Sequence, residues 1–106
     1  MKVAEASDIP IGKMKSIKMK DKEILIADVN GKYYAIGNRC THRGGDLSKG
    51  ILENNVVTCP LHGAKFDVTT GKVVSGPKIG PINAKTKDGI IYEVKVEGNE
   101  IMIKVS

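Results

Sequence analysis

With 106 residues, 41% of them apolar, the chain has material for one modest hydrophobic core and no room for a catalytic domain beside it. Aromatic residues make up 4% and tryptophan is absent, so the core rests on Ile, Val, Leu and Met, which suits short strands. The formal charge of +5 is mostly excess lysine, and with so few rings to stack on bases it does not make a nucleic-acid binder; nor does any apolar run approach the roughly 20 residues of a membrane span.

The start, Met1-Lys2-Val3-Ala4-Glu5, lacks the apolar stretch of a signal peptide, which leads to the expectation of a cytoplasmic protein. Lys13, Lys15, Lys18, Lys20 and Lys22 follow along strand-like sequence and read as a solvated face. Asn30-Gly31, set between Ile24–Val29 and Lys32–Ile36, is the strongest hairpin signature in the chain. From Gly37 to about Pro81 the sequence is dense in Gly, Pro, Asn and Thr, with brief strand-like pieces at Val56–Thr58 and Lys65–Val68. Thr70-Gly71 and Asp88-Gly89 add turns. A second hairpin is expected from Ile90–Val96 and Glu100–Val105 around Glu97-Gly98-Asn99, both arms alternating apolar with polar residues. The expected fold is all-β: one domain over 1–106, with a loop-rich subdomain at about 37–81 set onto a β base made from about 1–36 and 82–106.

The two cysteines and two histidines of the chain fall into two clusters, Cys40-Thr41-His42 and Cys59-Pro60-Leu61-His62. In a reducing cytosol such cysteines point to metal binding or redox chemistry before a disulfide. Each cluster offers one thiolate and one imidazole among glycines, Gly44 and Gly45 in one and Gly63 in the other, where backbone can fold closely around a metal. Tetrahedral zinc is one possible occupant, although zinc fingers set two Cys on one side and two His, on a helix, on the other. A two-iron cluster with two thiolates on one iron and two imidazoles on the other fits the repeated Cys-His pairing better. Nucleophilic catalysis lacks an identifiable third, orienting residue.

Cys40-Thr41-His42-Arg43-Gly44-Gly45 and Cys59-Pro60-Leu61-His62-Gly63-Ala64 resemble the two ligand boxes of Rieske proteins, and Gly76-Pro77 with Pro81 stand where that family has a third, proline-containing loop. The resemblance implies a Rieske-like fold of antiparallel sheets around one [2Fe-2S] cluster per chain. It also implies that Cys40 and Cys59 hold the inner iron, and His42 and His62 the outer, more exposed one. Two ferric ions, two sulfides and two thiolates sum to zero charge, so the cluster accepts an electron more readily than an all-thiolate one. Gly45 and Leu61 replace the extra cysteines of high-potential Rieske subunits, and Ala64 and Phe66 replace their serine and tyrosine hydroxyls. Fewer donors to the sulfurs imply a potential toward the low end of the family range.

The resemblance therefore implies a small ferredoxin, a monomeric one-electron carrier and not itself an enzyme. It would pass electrons from a reductase to an oxygenase or other redox partner through transient contacts around His42 and His62. The alternative is a Rieske-like small subunit of a larger reductase, such as nitrite reductase.

Overall fold

Strand-forming residues and tight turns alternate along the whole chain, and a computed structural model shows how they assemble. It describes residues 2–19, 21–39, 46–60, 63–75, 78–79, 82–83 and 88–104. Strand β1 (Lys2–Glu5) runs into a 3-10 turn at Ala6–Asp8, followed by β2 (Met14–Met19), β3 (Lys22–Val29) and β4 (Lys32–Gly37). A second 3-10 turn, Leu47–Lys49, leads to β5 (Ile51–Glu53), β6 (Val56–Thr58), β7 (Lys65–Asp67) and β8 (Val73–Ser75). Two short strands, β9 (Lys78–Ile79) and β10 (Ile82–Asn83), pair with each other, and β11 (Ile91–Glu97) and β12 (Glu100–Lys104) complete the chain.

These strands make a six-stranded sheet in the order β1-β12-β11-β4-β3-β2 and a four-stranded sheet in the order β5-β6-β7-β8. Every pairing among them is antiparallel, as an all-β fold of hairpins predicts. The expected first hairpin is β3 with β4, in the register Ile24↔Gly37 to Val29↔Lys32. Its turn places both Asn30 (φ 55°) and Gly31 (φ 89°) in the left-handed region, the geometry that makes Asn-Gly a hairpin signal. The Asp28 carboxylate accepts from the Gly31 amide at 2.8 Å and secures it.

Residues 24–27, Ile-Leu-Ile-Ala, are buried on both sides of their sheet, which explains an unbroken apolar run instead of an alternating one. On one side Leu25 and Ala27, with Ile36, pack against Leu47, Val57, Cys59, Ala64, Phe66 and Val68. This layer joins the two sheets. On the other side Ile24, Ile26 and Ala35 share a cluster with Ala4, Ile9, Ile101 and Ile103. The Tyr33 hydroxyl of β4 donates to the carbonyls of Ala6 (2.9 Å) and Ile9 (3.3 Å), just beyond β1. Those strands stand three places apart in the sheet, about 14 Å if it were flat, so the sheet curls to close over this second cluster.

Lys15 and Lys18 point to solvent from β2, an edge strand, and Lys13 and Lys22 beside it are also exposed. The solvated-face reading therefore fits an edge blunted against further pairing; Lys20 lies outside the described residues. No helix among the described residues is long and apolar enough to cross a membrane.

Candidate metal centre

Asn38 follows β4 directly and is 1% exposed, a polar side chain with no apolar reason to be buried. Its hydrogen bonds account for it. The backbone amide donates to the Glu23 carbonyl on β3 (2.9 Å), and the backbone carbonyl accepts from the Leu47 amide (2.9 Å). Its side-chain amide donates to an Asp46 carboxylate oxygen at 2.8 Å, while its side-chain carbonyl accepts from the Ser48 amide at 3.0 Å. Arg39 and Asp46 form an antiparallel bridge next to it. Residues 39 and 46 are thus the two sides of a neck.

Asp46 also caps the 3-10 turn that follows, accepting from the Ser48 amide (3.0 Å) and hydroxyl (2.5 Å). The Ser48 hydroxyl, helped by the Asn38 side chain and the Ser48 amide, holds the Asp46 carboxyl below its usual range despite partial burial. On the other flank of the neck, the Arg39 guanidinium pairs with the Glu23 carboxylate, one of its contacts being 3.0 Å, and keeps that carboxyl below its usual range. This second pair is solvent-exposed and adds little stability by itself.

The other loop begins where β6 ends. Cys59 is 2% exposed, in one apolar cluster with Leu47, Val57, Ala64 and Phe66. Its amide donates to the Ala64 carbonyl at 2.7 Å and its carbonyl accepts from the Gly63 amide at 3.1 Å, so Cys59 and Ala64 pinch a tight turn shut. Gly63 sits at φ 77°, which a side chain would strain. The two described regions meet at Gly50, where a Cβ would lie 1.9 Å from the Thr58 carbonyl oxygen. That contact joins the strand leaving the first neck to the strand entering the second turn, through the pair Ile51↔Thr58.

Of the four sequence-predicted ligands, Cys59 is described, whereas Cys40, His42 and His62 lie outside the described residues, as do Arg43, Gly44, Gly45, Leu61, Gly76, Pro77 and Pro81. Cys59 nevertheless tests the fit. A thiol withdrawn from water by apolar side chains, at the closed base of a glycine-bearing turn, is a soft donor in surroundings suited to a thiolate of an iron–sulfur centre. Ala64 and Phe66 are both buried beside it and present a methyl group and a phenyl ring, with no hydroxyl.

Asn38, Asp46 and Gly50 are site-building residues that the ligand motifs do not reveal. Asp46-Leu47-Ser48 does carry the local signal of a side chain capping its own following turn. Asn38 carries none, because its burial depends on Glu23, fifteen positions earlier.

The described residues form a small all-β domain that buries Cys59 in the layer between its two sheets. Residues 1–97 match the Rieske [2Fe-2S] domain, and the chain belongs to that family, with one [2Fe-2S] cluster per chain. It is 41% identical over 98 residues to the ferredoxin component of the naphthalene 1,2-dioxygenase/salicylate 5-hydroxylase systems of Ralstonia sp, covering 92% of this chain and 88% of that one. It is 33% identical over 102 residues to the biphenyl 2,3-dioxygenase ferredoxin component of Rhodococcus jostii (strain RHA1), covering 96% and 89%. Among solved structures, a chain in the complex of reduced oxygenase and oxidized ferredoxin in carbazole 1,9a-dioxygenase superposes with a TM-score of 0.86 at 30% identity, covering 98% of this chain and all of that one. The Rieske-like, all-β expectation is met.

Proposed function

We propose that the protein is a one-electron carrier that takes an electron from a reductase and gives it to an oxygenase. The observation that carries this reading is its near full-length likeness to ferredoxin components of dioxygenase systems, beside the buried Cys59 at a glycine-bearing turn. The same likeness favours the ferredoxin over the reductase-subunit alternative. Cys40 and Cys59 would hold one iron, and His42 and His62 the other.

When bound, the cluster supplies reversible one-electron transfer. The chain contributes the rest. Leu47, Val57 and Phe66 keep water from the thiol side through their shared apolar layer. The Asn38–Asp46 neck and the Cys59–Ala64 pinch fix the two loops. Segment 37–81 acts as the cluster-binding subdomain and the curled six-stranded sheet as its base. With Cys40, His42, Cys59 and His62 holding the irons, no position would be left for substrate, so the protein acts as a carrier and not as an enzyme by itself, and it works as a cytoplasmic monomer.

Electron paramagnetic resonance of the dithionite-reduced protein tests the ligand set. Mixed nitrogen and sulfur ligation gives a lower average g value than an all-thiolate cluster, and a spectrum of the all-thiolate type would overturn the assignment. Stopped-flow oxidation of the reduced protein by a Rieske oxygenase tests the carrier role; no transfer to any such oxygenase, with tight co-purification in a larger reductase, would favour the other reading.

A further inference from the structure

We propose that Asn38 is the positioning residue of the first ligand-bearing segment, its carboxamide fixing the neck between whose two sides Cys40 and His42 fall in the sequence. This rests on the ligand reading above. Both proposed ligands lie, in sequence, between Asn38 and Asp46, which are eight positions apart and joined by their side chains. A carboxamide is the side chain that the position demands, because one end must donate to a carboxylate and the other must accept from an amide. An apolar side chain of that size would remove one donor from the Asp46 carboxylate and leave the Ser48 amide to Asp46 alone, and a carboxylate would face another carboxylate.

The backbone of the same residue is bonded on both sides, to Glu23 of β3 and to Leu47 of the 3-10 turn. Asn38 therefore ties three segments together at one buried point. Loops that present metal ligands hold productive geometry only when their supports are locked in this way, because errors of roughly half an ångström already change ligand geometry. Nothing else in the neck is as deeply buried: Asp46 is half-buried and Arg39 is exposed.

The test uses the cluster-loaded protein and Asn38→Ala, Asn38→Ser, Asn38→Asp and the exchange Asn38→Asp/Asp46→Asn. Three quantities are read: the g values of the reduced protein, the midpoint potential, and the rate of iron release to a ferrous chelator. Val94→Ala, packed against the opposite cluster, serves as a control for general destabilisation. Expected are shifted g values and about tenfold faster iron release in Asn38→Ala and Asn38→Asp, with the exchange variant returning toward wild type because it restores one amide and one carboxylate. Asn38→Ser, whose hydroxyl retains some hydrogen-bonding capacity, shows the same shifts in milder form if the alanine variant does not fold. Wild-type g values, potential and release rate in the folded Asn38 variants, with only the melting temperature lowered as in Val94→Ala, would overturn the proposal. So would an exchange variant no better than Asn38→Asp. A Cys59→Ala protein that kept the wild-type spectrum would instead overturn the ligand reading, which separates the two failures.

Discussion

The backbone of Gly50 lies so close to the Thr58 carbonyl that a methyl group on Gly50 would stand 1.9 Å from its oxygen and 3.0 Å from its carbon. Gly50 has ordinary extended dihedrals (φ −86°, ψ −157°), so glycine is needed there for space and not for conformation. Because the obstacle is backbone, it cannot swing aside. Gly50→Ala should cost about 3 kcal/mol, seen as a fall in melting temperature of roughly 15 °C. Gly63 is the opposite case, with nothing within 4 Å of a would-be Cβ among the described residues and a φ of 77°. Gly63→Ala should cost only about 1 kcal/mol, and thermal melts of the two variants check the ranking.

Cys59→Ser keeps the size of the side chain but replaces a soft donor with a hard one in an apolar layer. The expected outcome is a folded, colourless protein with less than stoichiometric iron and sulfide, read by metal analysis and visible absorption. Undiminished absorption would show that Cys59 is not a ligand.

Ala64 stands beside Cys59 with its methyl group buried in the same cluster. Ala64→Ser adds a donor of the kind that favours the reduced, more negative centre. One hydrogen bond of about 1 kcal/mol corresponds to roughly 40 mV in a one-electron couple, so the midpoint potential should rise by that order. Protein-film voltammetry of the pair measures it, and an unchanged potential would mean that the hydroxyl bonds elsewhere.

Asp46 should make the neck sensitive to acid. Its folded pKa lies below the ordinary 3.8, so the unfolded chain binds the proton more readily. The stability it contributes is present above about pH 4 and is lost as pH falls through the folded value. Asp46→Asn should therefore lower the melting temperature more at about pH 6 than at about pH 3. A penalty equal at both would show that the charge of Asp46 plays no part.

The sequence shows the frame of this fold wherever the cause is local. The Asn30-Gly31 turn, strand Val56–Thr58 and the start of the strand at Lys65 stand where pattern and turn chemistry put them, and the last hairpin is displaced by one residue at its start, Ile91 instead of Ile90. Strands β5 and β8 are not legible, because Ile51–Glu53 and Val73–Ser75 become strands through their pairing with β6 and β7 and carry no distinguishing pattern of their own. The ligand boxes are legible because metal chemistry restricts them to Cys and His at fixed spacing. Their supports are not: Asn38 reads as one more turn residue until Glu23, Asp46 and Ser48 are brought around it.

One strand, β3, presents Leu25 and Ala27 to the layer that holds Cys59 and Ile24 and Ile26 to the layer that holds Ile101. It is a party wall between two rooms. Neither can be vacated while the other stands, so heat should strip the cofactor and melt the distant hairpin in a single event, and the amides of Ile24 to Ala27 should be the last in the molecule to exchange with deuterium.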